Sequence, residues 1–578
     1  MTVRREASPA ERASEVALRE VFDCLDSGQS FLLEAGAGAG KTYTLRKALK
    51  HLLDSRRQAM TQNRQKIACI TFTNVAKDEI ERHVDHDPLV HCDTTHGFCW
   101  SLISSHQKEL RKLLPTLKYW PEKIAEADAP ITSVHYDLGY RSIKEGVASI
   151  HHDDVIPLAV DLLSNVKFRS LLCHRFPVIL IDEYQDTNAQ FVSALKQCFL
   201  ETPGTLQLAF FGDNWQSIYG EGCGKIEHQN LRVVGKRANF RSVPAVVNCL
   251  NRMRPDLMQE VADPDAAGSV YVYHSNAWVG TRLKGGHWAG DLPADAAQSA
   301  LNFTLDDLTT RGWDLAPDVT KILMLTHRGI AARQGYGSLP GVFQYKESFT
   351  KKEDELVAFF ADQLEPACNF FIQRRYGAMF ECLGGRFPAV KRMSDKQAWA
   401  TALAALLEVR SSGTVGEVID HLIATGRPSI PENIQKRETL RRRLLEAGDE
   451  LPRPIAELEK LRSVPYSEMI SLARYLDGHS PFETKHGVKG AEFENVIVLL
   501  GRGWNIYNFN EMLELSANPG SVPPERLDSY EKNRNLFYVA CSRPKTRLAL
   551  VFTQLLSDKA LGVVRDWFGN ESILEIAI

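Results

Sequence analysis

Leu33-Glu34-Ala35-Gly36-Ala37-Gly38-Ala39-Gly40-Lys41-Thr42 is the stretch that decides the fold of this chain. A short apolar run ends at Leu33, and leucines at helical spacing follow the stretch. The order strand, glycine-rich loop and helix brings backbone N–H groups and a helix N-terminus to one anion site. In such a loop Lys41 reaches the β- and γ-phosphates of a nucleotide, and the Thr42 hydroxyl binds Mg²⁺. A plain glycine-rich turn is the alternative, but the Lys-Thr pair and the flanking pattern favour a phosphate-binding loop.

Composition sets the broad class of the protein. The 578 residues predict two or more domains, and 44% apolar with 24% charged residues is ordinary for a globular protein. A formal charge of −3 gives no overall attraction to nucleic acid, so such binding would need local patches. The 11 cysteines are scattered without a CxxC pair, which predicts reduced core residues rather than a metal or iron–sulfur site. Neither a leader pattern nor an apolar run of membrane length is found, and we expect a cytoplasmic protein with no membrane partner.

Two acidic residues, Asp182 and Glu183, directly follow the apolar run 178–181. At the end of a buried strand Asp182 could hold the water shell of Mg²⁺, and Glu183 could orient or deprotonate an attacking water. An acidic helix cap is the alternative, which the upstream phosphate loop makes less attractive. Gln216 follows the apolar strand 208–211, and its neutral amide could bond a γ-phosphate oxygen and report the nucleotide state.

Several further segments carry side chains that suit nucleic acid. The strand predicted over 66–73 ends in Thr-Phe-Thr-Asn, and Asn74 could cap the helix that follows, although a routine strand end is the alternative. Thr95, His96 and Phe98 could hold bases and phosphates, although a histidine of this kind could equally be a satisfied core or surface residue. Phe240 could stack on a base and Arg241 could reach a phosphate, with ordinary packing or surface charge as the alternatives.

The rest of the chain reads mainly as helix in two long blocks. Residues 101–170 and about 345–478 show helical apolar spacing. The basic run 437–443 in the second block has two interpretations, a solvated helix face or a patch for nucleic acid.

Taken in order, these motifs resemble those of superfamily 1A DNA helicases of the UvrD/Rep/PcrA type, from Ala35 to Arg547. The resemblance implies an α/β fold with two RecA-like P-loop domains. Each would have a parallel sheet and carry a mainly helical inserted subdomain. The implied segments are 1–100 and 173–245 for the first domain, 101–172 for its insertion, 246–344 and 479–578 for the second domain, and 345–478 for its insertion.

The same resemblance assigns nucleotide-site residues, with ATP and Mg²⁺ as cofactors bound between the two sheets. Catalytic roles fall to Lys41, Glu183, Gln216, Arg241 and Arg543, the last as an arginine finger from the second domain. Thr42 and Asp182 would hold the metal. The residues expected to bind the nucleotide are Ala35, Gly36, Ala37, Gly38, Ala39, Gly40, Lys41, Thr42, Phe240, Arg241, Glu492 and Arg543.

Single-stranded or partly duplex DNA is the partner that the resemblance implies. The residues expected to contact it are Thr71, Phe72, Asn74, Thr95, His96, Phe98 and His486. Three departures from the family pattern stand out. No glutamine precedes residue 29 to read adenine, and Gln29 itself is close to the first strand. The segment 221–224 replaces an aromatic-arginine pair, and Trp215 stands at a usually acidic position, so base stacking there could be rebuilt around Trp215.

Three functions remain open from the sequence. The first is an ATP-driven 3′–5′ helicase or translocase on single-stranded DNA, in repair or replication. The second is a DNA-responsive ATPase switch that activates a separate nuclease subunit with little unwinding, as in Gabija-type phage defence. The third is a P-loop phosphotransferase that acts on small molecules. No nuclease signature is visible, so we expect any DNA cleavage to come from a partner.

Overall fold

The protein is described from a computed structural model. The structure describes residues 6–127, 129–137, 141–202, 204, 206–218, 222–286, 288–324, 335–343, 349, 352, 354–384, 390–476, 482–484, 491–501 and 507–578. The chain forms two compact units. The first contains residues 1–276, 504–549 and 554–575, and the second contains 277–503, 550–553 and 576–578.

A six-stranded sheet forms the centre of the first unit, with all strands parallel in the order β3-β2-β7-β8-β1-β9. Three of the six strands, β2, β7 and β8, are short apolar runs buried along their whole length, as expected for the middle of a sheet that is covered on both faces. Their bounds are β1 Phe31–Ala35, β2 Ile67–Thr71, β3 Val90–Thr94, β7 Val178–Asp182, β8 Gln207–Gly212 and β9 Arg232–Lys236.

Helices cover both faces of this sheet. Alternate strand residues such as Leu33 and Leu180 pack against α1 and α2, while their neighbours Leu32 and Ile181 pack into the core on the opposite face, with α4, α7 and α9. The helix bounds are α1 Pro9–Ser27, α2 Lys41–Gln62, α3 Asn74–His83, α4 Thr95–Ile103, α7 His152–Leu163, α8 Val166–Arg175 and α9 Ala189–Leu195.

The segment 101–172 is less helical than the apolar spacing predicts. Besides α5 (Gln107–Leu113) and α6 (Trp120–Ala125), it contains a small sheet of order β4-β6-β5. The strands are β4 Ser133–Tyr136, β5 Ser142–Lys144 and β6 Val147–Ile150. Glu145 and Gly146 join β5 to β6 with φ of 50° and 77°, the left-handed pair that a tight antiparallel hairpin requires. Strands this short leave little periodicity to detect in the sequence.

The first unit also contains the later strands and helices that lie around the nucleotide motifs. Strand β10 pairs in parallel with β11, and β12 pairs in parallel with β17 and neighbours β16. The bounds are β10 Ala238–Asn239, β11 Glu260–Val261, β12 Ser269–His274, β16 Pro544–Phe552 (of which 544–549 belong to this unit) and β17 Ile573–Glu575, with α10 Pro244–Met253, α21 Phe509–Ser516, α22 Pro524–Cys541 and α23 Asp558–Phe568. Arg543 therefore lies in the same compact unit as the phosphate loop.

The second unit combines parallel strands with a helical region. Strand β13 (Thr320–Met324) pairs in parallel with β14 (Phe482–Thr484) on one side and β15 (Phe493–Leu500) on the other. The helices are α11 Ala294–Thr310, α12 Leu339–Val342, α13 Glu355–Phe359, α14 Glu365–Ile372, α15 Tyr376–Cys382, α16 Met393–Ser412, α17 Val415–Thr425, α18 Glu432–Ala447, α19 Arg453–Arg462 and α20 Tyr466–Leu476. A π-helical segment, Phe360–Leu364, joins α13 to α14.

The basic run 437–443 lies on α18, where carboxylates meet several of its arginines. Arg437 pairs with Asp354 at 3.0 Å, and Arg441 pairs with Glu438 at 3.2 Å and Glu459 at 2.6 Å. This internal pairing supports the helix-face interpretation over a patch for nucleic acid.

The predicted fold class, α/β with parallel sheets typical of two RecA-like domains plus helical regions, is confirmed. The two compact units divide the chain differently from the six predicted segments, whose boundaries stay a prediction. None of the described helices combines the length and the apolar character that crossing a membrane requires.

Candidate active site

The phosphate loop connects the end of β1 to the start of α2. Gly38 and Gly40 have φ of 73° and 74°, a left-handed conformation that favours glycine. A Cβ on Gly38 would lie 2.8 Å from both the Arg241 Cβ and the Asn239 Oδ1, so the loop also needs glycine for close packing. Gly40 is the N-cap of α2 and makes no side-chain cap bond, which leaves N–H groups of the first turn for an anion.

A second segment holds this loop from behind. The Asn239 and Gln259 side-chain amides each donate to the Ala37 carbonyl at 3.1 Å, and Phe240 N–H donates to the Gly38 carbonyl at 2.9 Å. These bonds bring Phe240 and Arg241 to the loop, as the sequence predicted. Gln259 has no local sequence signal, whereas Asn239 is the first residue of the Asn-Phe-Arg-Ser motif.

Asp182 is the residue best suited to a divalent cation. It ends β7 and is buried, and its Oδ1 has no hydrogen-bond partner among the described residues. Burial and the neighbouring Glu183 raise the pKa of Asp182 to about 7, against the opposing charge of Lys41. An unsatisfied buried carboxylate fits Mg²⁺, which Asp182 and the half-buried Thr42 would hold. Bound there, Mg²⁺ would neutralise charge that develops on phosphate oxygens.

Glu183 is held in an oriented position by two neighbours. Its φ of 46° is a left-handed value, which is strained for a residue with a side chain and is typical of functional sites. Its Oε1 lies 3.9 Å from Lys41 Nζ, and its Oε2 accepts a 2.6 Å hydrogen bond from Gln185 Nε2. Such a carboxylate can orient a water molecule and accept its proton.

A continuous line of hydrogen bonds runs from Glu183 towards Arg543. Gln185 also accepts a 3.1 Å bond from the Asp213 N–H through its Oε1. Asp213 Oδ2 accepts from Gln216 Nε2 at 2.7 Å, and Gln216 Oε1 accepts from Arg543 Nη2 at 3.2 Å. The proposed catalytic carboxylate, the nucleotide sensor and the arginine finger are thus connected in one unit of the structure.

Arg543 and Arg241 lie close enough to repel each other. Arg543 is buried, and burial together with the charge of Arg241 lowers its pKa to about 9, although Glu183 opposes this shift. Arg543 Nε donates to the Val539 carbonyl at 3.0 Å, and Arg241 Nη1 donates to the Ser542 carbonyl at 3.1 Å. A bound polyanion would offset the repulsion between these two guanidinium groups.

Trp215 contacts two arginines, which the sequence did not reveal. The guanidinium carbons of Arg254 and Arg534 lie 5.3 Å and 4.2 Å from its ring centroid, and the ring meets Tyr538 in an edge-to-face contact. Arg254 is itself buried and pairs with Asp213 at 2.5 Å and Glu34 at 2.7 Å. Trp215 is partly exposed, but the two cations over its ring leave less of it for a base, which disfavours the hypothesis that base stacking is rebuilt around Trp215.

The residues predicted for DNA fall into exposed and buried groups. Phe72 is 41% exposed at the end of β2, and Asn74 is exposed in the first turn of α3. Asn74 does not cap that helix, because Thr73 is the N-cap and accepts from the Ala76 N–H at 3.2 Å. Thr71 is buried and its hydroxyl donates to the Thr73 carbonyl at 3.1 Å.

The segment 95–98, predicted to contact DNA, is largely buried. Phe98 is fully buried against His91 and Phe176, so as placed it packs the core and does not offer a face to a base. Thr95 is buried, while His96 is partly exposed and stacks on His152 with ring centroids 3.4 Å apart. These few consecutive residues did not allow the sequence to predict which side chains lie in the core and which lie on the surface.

Three further residues were singled out in the sequence. His486 lies outside the described residues. Glu492 is exposed in the second unit, at the start of β15. The side-chain amide of Gln29 donates to the Asn230 carbonyl at 2.9 Å, so this amide is engaged by the backbone of a neighbouring segment.

Comparison with known proteins agrees with this site. A family described as an AAA domain matches residues 21–221. The chain is 23% identical to the Gabija protein GajB of Bacillus cereus over 97% of this chain and 98% of that protein. It is also 23% identical to the ATP-dependent DNA helicase PcrA of Staphylococcus aureus, over 38% of this chain and 37% of the helicase, and PcrA of Staphylococcus epidermidis matches to the same extent. With its phosphate loop, paired carboxylates and Gln216–Arg543 contact, the chain resembles the UvrD/PcrA-like superfamily 1 helicases.

Proposed function

We propose that this chain is the DNA-responsive ATPase subunit of a Gabija-like phage-defence system, in which ATP hydrolysis controls a separate nuclease. The observation that carries the proposal is the extent of the two similarities. The likeness to GajB covers 97% of this chain and 98% of that protein, whereas the likeness to PcrA covers 38% and 37%. The similarity to the Gabija protein therefore extends over the whole chain, which favours a function of the same kind.

ATP hydrolysis is supported by the contacts around the phosphate loop. Lys41 lies 3.9 Å from Glu183, and Glu183 connects through Gln185 to the motif that contains Gln216. Electrostatic stabilisation and an oriented water are the main requirements of phosphoryl transfer, and Lys41 and Glu183 are the residues that would supply them.

Limited unwinding is supported by the segment after Gln216. Here Gly222, Cys223 and Gly224 pack against the turn that follows Glu183. Cys223 N–H donates to the Thr187 carbonyl at 2.9 Å, and Gly224 N–H donates to the Gln185 carbonyl at 3.2 Å. A Cβ on Gly222 would overlap the Gln185 backbone. This segment therefore packs on the catalytic motif, at a place where the family resemblance led us to expect an aromatic-arginine pair for DNA.

A 3′–5′ helicase or translocase is the second candidate. It is favoured by Phe72, which stands 41% exposed beside Asn74 at the carboxyl edge of the sheet, where a base could stack on it. Both candidates need DNA to act on the ATPase. They differ in whether the energy of ATP separates two strands.

One set of assays separates the candidates. ATP turnover of the purified chain is measured with and without single-stranded DNA, beside a strand-displacement assay on a 3′-tailed duplex in which PcrA serves as the active control. The switch proposal expects DNA to change ATP turnover without strand displacement. It also expects ATP to control DNA cleavage when a candidate partner nuclease is added. Efficient displacement would favour the helicase, and turnover indifferent to DNA would favour a small-molecule phosphotransferase. Glu183→Gln is the inactive control.

A further inference from the structure

Lys236, the last residue of β9, lies directly behind the phosphate loop and is fully buried. Its Nζ donates to the Gly40 carbonyl at 3.0 Å and to the Thr44 hydroxyl at 2.6 Å. Gly40 is the N-cap of α2, so these two bonds join the end of the loop to the first turn of the helix. Neither the motifs nor the similarities assign a role to this lysine.

The surroundings of Lys236 are unfavourable for a cation. Both of its hydrogen-bond acceptors are neutral, and burial together with the positive charge of Lys41 lowers its pKa to about 8. The faces of Tyr43 and Phe240 lie 5.8 Å and 6.0 Å from its Nζ and offset part of the cost. A buried charge normally has a counter-charge, because transfer of an ammonium group out of water is expensive.

Among the described residues, charged groups on the elements that pack around Lys236 are cations or carboxylates that pair elsewhere. Lys47 of α2 is a cation, and its Nζ lies 5.4 Å from the ring centroid of Tyr43. Glu34 of β1 pairs with Arg254, and Glu20 of α1 pairs with Arg232 at the opposite end of β9. Two lysines thus converge on one glycine loop, which is the arrangement expected where the counter-charge is a ligand.

We propose that Lys236 is a second cation of the nucleotide site: its ammonium group positions the turn from Gly40 to Thr44, and its counter-charge is the polyphosphate of the bound nucleotide. The inference rests on the proposed ATPase function. Because the ligand is an anion, the protonated lysine favours binding and the neutral lysine does not. Nucleotide affinity therefore falls as the pH rises through about 8, the pKa of Lys236 in the free protein.

The test compares Lys236→Met, Lys236→Arg and the matched control Arg237→Met, which removes the next, exposed cation. Affinity for a fluorescent ATP analogue with Mg²⁺ is measured from pH 7 to 9.5 in the full chain, together with kcat and KM for ATP. We expect Lys236→Met to weaken binding about 10- to 100-fold at pH 7, mainly through KM, and to flatten the pH profile. Lys236→Arg should retain binding without the loss above pH 8, and Arg237→Met should behave as wild type.

Thermal unfolding without nucleotide distinguishes this role from a structural one. Replacement of a buried, unpaired cation by an apolar side chain of similar shape should leave the Tm of Lys236→Met equal to or above that of wild type. The nucleotide-induced rise in Tm should be smaller. ATP binding by Lys236→Met that equals wild type, or a wild-type pH profile in Lys236→Arg, would overturn the inference. If Lys236→Met does not fold, the role is structural and the inference also fails. Absence of ATP binding by the wild-type chain would instead refute the proposed function.

Discussion

Arg543 donates a 3.2 Å hydrogen bond from Nη2 to Gln216 Oε1, although 327 residues separate the two in the chain. Gln216 in turn bonds Asp213, which connects through Gln185 to Glu183. Segments far apart in the sequence therefore meet at one site, and Arg543 is connected to the Glu183 carboxylate through three intervening residues, Gln216, Asp213 and Gln185.

Loss of the Arg543 guanidinium should abolish turnover. We expect Arg543→Ala to lower kcat about 10³-fold, because an arginine finger stabilises charge that forms in the transition state. Binding of a fluorescent ATP analogue should change much less. Arg565→Ala, which removes an exposed arginine of α23, is the control. Wild-type ATP turnover in Arg543→Ala, with folding verified by circular dichroism, would show that the Arg543–Gln216 contact is not part of the ATPase active site.

Gln185 should act through Glu183 without touching the nucleotide. Gln185→Ala removes the 2.6 Å bond to Glu183 and the bond from the Asp213 N–H, so the carboxylate loses its orientation. We expect kcat to fall about 10- to 100-fold with KM little changed. The double variant with Glu183→Gln should be no worse than Glu183→Gln alone. Independent, additive losses in that double variant would contradict a positioning role.

Two phenylalanines that the sequence grouped together should respond differently to truncation. Phe72→Ala should weaken single-stranded DNA binding without loss of stability, because its ring is 41% exposed. Phe98→Ala should instead lower the free energy of unfolding by about 3–5 kcal/mol, because Phe98 is fully buried. Fluorescence anisotropy and denaturant unfolding measure the two effects.

DNA affinity should also fall with added salt, and a flat salt titration would exclude phosphate contacts.

Trp215 should behave as a structural clamp. Trp215→Ala removes a ring that contacts the guanidinium groups of Arg254 and Arg534, and we expect it to lower the free energy of unfolding by about 1–3 kcal/mol. Trp215→Phe should recover part of this loss, while Trp288→Ala, which truncates a 39% exposed ring, should cost little. If Trp215→Ala were as stable as wild type but bound DNA poorly, the ring would be a base platform after all.

Removal of Mg²⁺ should stop ATP turnover reversibly. Chelation with EDTA should abolish hydrolysis, and added Mg²⁺ should restore it in the wild-type chain but not in Asp182→Asn. The Tm of Asp182→Asn without nucleotide should equal or exceed that of wild type, because the substitution removes a buried carboxylate with an unsatisfied Oδ1. A marked drop in Tm would indicate that Asp182 supports the fold rather than a metal.

The fold class and the nucleotide motifs were readable from the sequence because each is a local pattern. A buried strand, a glycine loop with Lys41 and Thr42, and a helix are consecutive in the chain, and Asp182 with Glu183 directly follows another buried strand. The short hairpin over β5 and β6 escaped detection, because three or four residues are too few to establish an alternating pattern.

Motif spacing identifies which side chains follow a strand, but it does not say what covers them. The sequence by itself determined a P-loop protein with paired carboxylates and distant arginines. The fold alone determines that Phe98 lies in the core, that the guanidinium groups of Arg254 and Arg534 lie near the Trp215 ring and that Lys236 contacts Gly40. Those positions depend on packing between segments far apart in the chain, and the burial and charge around a side chain arise only when those segments meet.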